Sequence, residues 1–220
     1  MRPRFLKRKE CLVPTAWAWC AALAAFATVL LVFVFTIHSF LAPVRPVRSD
    51  ILVVEGWVPE YALEQAVADF GSKGYRLAVV TGGPVETGHF LSGYKSLATV
   101  GAATLRKLGI DSSRVVEVPS TFVQKDRTYE EALALKLWLA LSRIPEKSIN
   151  LYSIGCHARR SHLLYSRVLG REYSVGIVSC ADRGYDARRW WHYSNGVRAV
   201  ADETLAFCYA WIFSLFASGQ

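Results

Sequence analysis

The chain has 220 residues, of which 52% are hydrophobic, and a net charge of +8. This length allows one domain of ordinary size with an appended segment. Residues 1–48 contain seven Lys or Arg and one acidic residue, whereas residues 49–220 contain 19 basic and 17 acidic residues. The excess positive charge therefore belongs to the N-terminal segment, and the composition argues against nucleic acid as a partner of the remaining chain.

An apolar stretch without charged residues runs from residue 16 to residue 41. A helix of this length spans roughly 39 Å, more than the ~30 Å hydrocarbon core of a bilayer. Trp17 and Trp19 lie near its start, where an interfacial aromatic belt is expected. A cleaved signal peptide is the alternative, but its apolar region has only about 7–15 residues and ends in a small-x-small site. This stretch is longer and no convincing site follows it, so we predict an uncleaved transmembrane helix over residues 16–41.

Basic residues are concentrated on the N-terminal side of this predicted helix. Five precede it, namely Arg2, Arg4, Lys7, Arg8 and Lys9, and only Arg45 and Arg48 follow it closely. Loops rich in Lys and Arg remain in the cytoplasm. We therefore predict a cytoplasmic tail (residues 1–15), a linker after the membrane (residues 42–49) and an extracytoplasmic main domain.

Beyond the linker, short apolar runs alternate with stretches of helical periodicity. The apolar runs predict five strands, near residues 50–56, 77–80, 115–118, 149–152 and 173–178. The periodic stretches predict helices at residues 61–70, 95–108, 128–141 and 163–169. The last helix is expected to begin before its periodic stretch, with His157 in its first turn. This alternation indicates an α/β domain over residues 50–203, with a doubly wound, mainly parallel five-stranded sheet.

The C-terminal segment, residues 204–220, contains a run that is apolar on every face, residues 204–216. At about 13 residues the run is short for a second span. We predict a helix that docks on the domain or lies against the membrane surface.

The five cysteines show no Cys-x-x-Cys spacing, and the sequence predicts no metal site. In an exported domain Cys156 and Cys180 would be able to pair, since each follows a predicted strand. The alternative is two small buried side chains.

Candidate site residues follow four of the predicted strands. They are Glu55 and Gly56, then Thr81, Gly82 and Gly83, then Thr128 and Glu130, and finally His157 and Arg160. Because the carboxyl ends of parallel strands share one edge of a sheet, we expect these residues to face one cleft.

Each candidate has a predicted role and a structural alternative. His157 would transfer a proton or donate a hydrogen bond, and Arg160 would hold an anion; a turn histidine is the alternative. Glu55 and Glu130 are candidates for a general base or a hydroxyl contact. The turns at Gly56 and at Thr81-Gly82-Gly83 would offer backbone N–H donors to an anion, unless they are plain tight turns. Thr128 is a further ligand contact, or the N-cap of a capping box with Glu131.

Together these features resemble the YdcF/SanA/ElyC family of bacterial envelope proteins, over roughly residues 50–203. The resemblance rests on the apolar strand at residues 51–56, Thr81-Gly82-Gly83, Thr128-Tyr129-Glu130 and His157-Ala158-Arg159-Arg160. It implies a Rossmann-like fold behind one anchor in the inner membrane, and a role in envelope or peptidoglycan-precursor metabolism. Two departures are Glu131, where the family often has Asn, and Trp57 in a first turn that is usually richer in glycine.

Three functional hypotheses follow. The first is an anchored domain that binds, and transforms if it is an enzyme, an anionic envelope metabolite such as a phosphorylated or lipid-linked sugar. The second is a non-enzymatic scaffold for envelope-synthesis proteins. The third is an S-adenosylmethionine or nucleotide binder, which one branch of the family suggests, but such cofactors are scarce outside the cytoplasm. The sequence itself identifies no cofactor.

Overall fold

A computed structural model describes residues 13–86, 93–122 and 125–216. The basic residues of the N-terminal tail, Cys11 and residues 217–220 therefore lie outside the described residues. The chain divides after Thr36 into two compact units.

The apolar helix α1, Ala16–Leu41, has the bounds of the predicted span. Its residues up to Thr36 belong to the first unit and its last five residues to the second. Among the described residues it is the one helix that is long and apolar enough to cross a membrane. Large side chains such as Trp17, Leu23 and Phe26 are exposed along it. A helix that is apolar all round and not covered by protein suits a lipid environment.

The second unit is an α/β domain built on a six-stranded sheet in the order β1-β6-β5-β2-β3-β4. The strands are β1 Val44–Arg45, β2 Ile51–Glu55, β3 Leu77–Gly82, β4 Val115–Pro119, β5 Ser148–Ile154 and β6 Ser174–Cys180. Strands β2 to β6 are parallel, which confirms the predicted sheet, and β1 pairs antiparallel with β6 at one edge.

Strand β1 lies in the segment that the sequence predicted as a linker. A buried side chain attaches this segment to the sheet: Asn150 accepts a hydrogen bond from the Val47 N–H at 2.8 Å and donates one to the Val47 carbonyl at 2.7 Å. A long-range contact of this kind leaves no local signal, so the linker's composition alone did not predict a strand.

Helices cover both faces of the sheet. They are α2 Glu60–Ser72, α3 Leu97–Lys107, α4 Arg127–Ser142, α5 His157–Leu169 and α6 Ser194–Phe216. Within β2, Leu52 and Val54 pack with α2 and α3, whereas Ile51 and Val53 pack with α4 and α5. Successive side chains of a strand point to opposite faces, so one apolar run supplies both cores. The domain is Rossmann-like, as expected.

Helix α6 begins ten residues before the predicted apolar segment and continues through it. It packs against α5, and its Phe207 ring meets the Phe40 ring edge-on at 5.4 Å. Leu205, Tyr209 and Trp211 remain exposed. The apolar run is thus the second half of a longer helix that is docked along one side.

The strand order places a topological switch point between β2 and β5. The chain moves outward from β2 through β3 to β4, then returns to β5 on the other side of β2. Glu55 ends β2, and Gly155, which turns the chain into α5 at a φ of +47°, follows β5. Ligands of doubly wound sheets bind in the crevice at such a point, outside the carboxyl ends of the strands.

Candidate functional site

A cavity of about 540 Å³ lies at this carboxyl edge. Its wall is formed by the turn after β2, the loops after β3 and β4, the N-terminal turns of α3, α4 and α5, and the middle of α6. The lining residues include Trp57, Gly83, Phe122, Lys125, Arg127, Thr128, Glu131, His157, Arg160 and Glu203. The volume is within the usual range for small-molecule sites, roughly 300–1,000 Å³.

The most constrained part of the cavity wall is an ionic cluster of His157, Arg160 and Glu203. Glu203 Oε1 lies 2.8 Å from His157 Nδ1, and Glu203 Oε2 accepts a hydrogen bond from Arg160 Nε at 2.8 Å. A second guanidinium nitrogen of Arg160 donates to Glu203 Oε1 at 3.0 Å. His157 and Arg160 are one turn apart on α5, so a single carboxylate from α6 contacts both.

The electrostatics of Glu203 show that this cluster is charged. Burial alone would raise the pKa of Glu203, but hydrogen bonds from His157 and Arg160, together with their charges, lower it to about 2. A guanidinium nitrogen of Arg160 also lies 2.9 Å from His157 Nδ1, so both the carboxylate and the guanidinium meet this ring nitrogen.

Glu55 lies behind the imidazole, fully buried at the end of β2. Its Oε1 accepts a hydrogen bond from the Ser161 hydroxyl at 2.7 Å and lies 3.7 Å from His157 Nε2. Among the described residues neither Glu55 Oε2 nor His157 Nε2 has a hydrogen-bond partner. The imidazole therefore lies between two carboxyl groups, Glu203 at 2.8 Å from Nδ1 and Glu55 at 3.7 Å from Nε2.

Glu131 is the third carboxyl group at the cavity and is 4% exposed. Burial, and secondly the charge of Glu55, raise its pKa to about 8, against the effect of a hydrogen bond from the Gly83 N–H. Glu131 is consequently a neutral acid at pH 7.

The predicted capping box at the start of α4 is wrong. The helix begins at Arg127, its N-cap is Asp126 at a φ of +59°, and no side chain caps it. Thr128 therefore lies within the first turn, where it is buried and lines the cavity. Glu131 has no capping role and lines the cavity. Glu130, the predicted catalytic residue, does not line it, because one residue along a helix rotates a side chain by about 100°.

The predicted anion donors at the strand ends are largely engaged within the protein. The Gly56 N–H donates to the Thr81 carbonyl at 2.7 Å, and the Gly83 N–H donates to Glu131. Thr81 is buried, with its hydroxyl 2.8 Å from the Tyr165 hydroxyl. Gly83 lines the cavity, whereas Gly56, Thr81 and Gly82 do not. A Cβ on Gly56 or Gly82 would collide with the backbone of Leu97 or Ala98, so these glycines permit the close approach of α3.

The outer part of the cavity combines aromatic and cationic side chains. Trp57 packs edge-on against His157, with 4.7 Å between ring centroids. Phe122 is exposed, and Arg127 pairs with Glu86 at 2.9 Å. Lys125 lies in the same wall.

The two cysteines near the site remain unpaired. Of the two alternatives that the sequence leaves open, pairing is not found: Cys156 and Cys180 are both free thiols in the described structure, the first buried and the second half-buried. Cys156 is buried, and burial raises its pKa to about 11, which leaves it protonated and unreactive near neutral pH.

Sequence reasoning missed Glu203 and the role of Glu131. Glu203 lies 46 residues after His157, at the position taken as the end of the domain. Its signal was a single acid beside an apolar helical run, which is expensive to bury without a charged partner.

Within residues 13–86, 93–122 and 125–216, no three His, Cys, Asp or Glu side chains are grouped to hold a metal ion. Comparison with known proteins found no matching family model and no matching curated protein.

Proposed function

We propose that this chain is a membrane-anchored, extracytoplasmic protein that binds an anionic, sugar-type precursor of the bacterial cell envelope. The observation that carries this proposal is the convergence of His157, Arg160, Glu203 and Glu131 on one cavity at the switch point of the sheet. These side chains come from three helices, and their joint arrangement at a crevice favours a ligand site over a purely structural network.

The chemistry of the wall supports a ligand with hydroxyl groups and a negative charge. Carboxyl groups bind sugar hydroxyls, and the rings of Trp57 and Phe122 offer faces or edges to an apolar sugar surface. Lys125, Arg127 and Arg160 supply positive charge in the same wall, where Arg127 is paired with Glu86 and Arg160 with Glu203. A phosphorylated sugar, free or lipid-linked, combines these features.

His157 gives the site the means for proton transfer. Its Nδ1 is fixed by Glu203, and its Nε2 has no hydrogen-bond partner among the described residues. Nε2 is buried beside Glu55, so the ring has to turn away from Glu55 before this nitrogen can act on a ligand as a general acid or base. This arrangement allows catalysis without specifying the reaction.

The proposed location rests on charge and on the apolar helix. The basic residues before α1 favour a cytoplasmic N-terminus. The resemblance to the YdcF/SanA/ElyC family supports a bacterial inner membrane and an envelope role. An extracytoplasmic cavity also disfavours S-adenosylmethionine and nucleotides as ligands.

A scaffold for envelope-synthesis proteins is the second candidate, because α6 exposes Leu205, Tyr209 and Trp211. Exposed apolar patches mark protein or membrane contacts. A scaffold would tolerate substitution in the cavity, so the two candidates make opposite predictions.

The test is calorimetry on the full-length chain in lipid nanodiscs, with N-acetylglucosamine 1-phosphate as the probe. We expect His157→Ala to weaken binding at least about tenfold, since a hydrogen bond involving a charged group contributes about 1.5–3 kcal/mol. His162→Ala is the matched control, because His162 is on the same helix but contacts the Val175 carbonyl at 2.9 Å, away from the cavity. Free N-acetylglucosamine should bind at least about tenfold more weakly than its phosphate.

Circular dichroism shows whether both variants fold. Equal binding by folded His157→Ala and wild-type protein would place the ligand elsewhere. No probe binding by the wild type would remove the sugar-phosphate proposal and leave the scaffold.

A further inference from the structure

Glu131 has no role in the proton-transfer arrangement described above, yet its position in the cavity is unusual. It is 4% exposed, and Oε2 has no hydrogen-bond partner among the described residues. A buried polar atom without a partner costs about 1–3 kcal/mol. Such groups are rare in native proteins, and one at a cavity wall points to a partner that arrives with the ligand.

The surroundings of Glu131 determine which partner fits. Glu55 on β2 contributes negative charge, whereas Arg127 on the same helix and Arg160 on α5 contribute positive charge. Tyr165 on α5 is fully buried, and burial and then the charges of Glu131 and Glu55 raise its pKa, so it stays neutral. His157 and Glu203, from α5 and α6, line the same cavity.

The geometry points to Glu131 as the residue that recognises an ionised oxygen of the ligand, by donating a hydrogen bond from its protonated carboxyl group. This inference rests on the proposed function, since the ligand is taken to be the anion that enters this cavity. One oxygen of the carboxyl group is held by the Gly83 N–H. The other oxygen, Oε2, is buried and has no hydrogen-bond partner among the described residues. Once ligand entry uncovers it, a proton on this oxygen would bond to a phosphate or carboxylate oxygen, the two ligand groups with this chemistry.

Protonation makes this recognition dependent on pH. Burial and the neighbouring Glu55 raise the pKa of Glu131 to about 8. Below that pH the acid donates to the anion. Above it, the carboxylate has lost its donor and repels the anion at short range, so ligand affinity falls as pH rises.

Binding of N-acetylglucosamine 1-phosphate to the full-length chain in nanodiscs, measured between about pH 7 and pH 9, tests the inference. The second pKa of a phosphate monoester is about 6, so the charge of the probe is nearly constant over this range. If only the protonated acid binds, wild-type affinity should fall about tenfold across it.

Glu131→Gln is the informative variant, because an amide keeps a neutral donor at the same place at every pH. We expect its affinity to stay constant between about pH 7 and pH 9, so that it loses the pH dependence of the wild type. Glu130→Gln is the matched control, since its side chain lies outside the cavity wall, and it should keep the wild-type profile.

A second measurement needs no ligand. Infrared difference spectroscopy of the wild-type chain should show the carbonyl stretch of a protonated carboxyl group at pH 7, which disappears above about pH 8 and is missing in Glu131→Gln. Absence of that band at pH 7 in the wild type overturns the inference whatever the ligand proves to be.

Three binding outcomes remain distinct. Probe binding with a flat wild-type profile, or a profile that Glu131→Gln retains, overturns the inference and leaves the proposed function standing. No probe binding at any pH, with the infrared band present, overturns the proposed function and with it the recognition role of Glu131. Tenfold weakening that Glu131→Gln abolishes supports both.

Discussion

Glu203 is the residue that holds His157 and Arg160 in their positions at the cavity. It contacts His157 Nδ1 and accepts from two nitrogens of Arg160, all within 3.0 Å. A carboxylate that is shared by His157 and Arg160 limits the rotamers of all three side chains. We infer that Glu203 is a positioning residue for the site.

Glu203→Gln should lower the free energy of unfolding at pH 7 by up to about 3 kcal/mol, because the folded state lowers the pKa of Glu203 from 4.5 to about 2. An acid with a depressed pKa stabilises the fold fully above its unfolded pKa. That contribution declines as pH falls towards the folded value. The difference between variant and wild type should therefore shrink to less than half by about pH 3.

Urea denaturation of the detergent-solubilised chain at both pH values measures this difference. Asp202→Asn, one residue earlier on α6 and exposed, is the control and should change stability by less than about 0.5 kcal/mol. If the difference in the free energy of unfolding between Glu203→Gln and wild type were the same at pH 7 and pH 3, the charge of Glu203 would not stabilise the fold.

A site residue could be predicted when its position depends on neighbours in the sequence, and not when it depends on a contact with a distant part of the chain. His157 and Arg160 were predicted because one local pattern, a strand followed by a turn and a helix, places them at a sheet edge. Glu203 depends on a contact across 46 residues, which no local pattern encodes. The sequence pattern also contains Glu131, but it suggests a capping role for this residue. The observed N-cap is Asp126, whose left-handed conformation cannot be recognised from composition.

At the scale of elements, the approach of α3 to the β2 turn shapes the edge of the sheet beside the cavity. Gly56 lies against the Leu97 carbonyl, and Gly101 lies against Gly56 and Val80. Because these positions lack side chains, α3 packs closely against the ends of β2 and β3. Leu97, at the start of α3, is part of the cavity wall.

Gly56→Ala should destabilise the domain by about 1–3 kcal/mol, the usual effect of forcing an extra methyl group into close-packed surroundings. Gly71→Ala is the matched control, because a Cβ there would have no atom within 4 Å. That change, inside α2, should stabilise the domain by about 0.5–1 kcal/mol. Thermal unfolding followed by circular dichroism compares them. Equal effects of both substitutions would contradict the packing argument.

Elements were predictable where one apolar run or one helical period determines them. The five parallel strands have this property, since each is buried by helices on both faces. Strand β1 has no such local signal, because its position depends on the hydrogen bonds between the Asn150 side chain and the backbone of Val47. The start of α6 at Ser194 was missed because its first turns are polar and only its second half carries an apolar signal.

At the scale of the whole molecule, an apolar helix and an α/β domain with a polar cavity belong to one chain. The basic residues lie before the helix, and the domain itself is nearly neutral. The positive-inside rule is the basis of our proposal that the domain faces away from the cytoplasm. The side on which the cavity lies decides which metabolites reach it, so the proposed ligand depends on this orientation.

Membrane topology is therefore the most direct test of the account. Alkaline phosphatase and green fluorescent protein can each be fused after Gln220 and expressed in a bacterial host, since the first is active only outside the cytoplasm and the second fluoresces only inside it. We predict an active phosphatase fusion and a dark fluorescent-protein fusion. A fluorescent fusion with inactive phosphatase would place the cavity in the cytoplasm and contradict the envelope-precursor proposal.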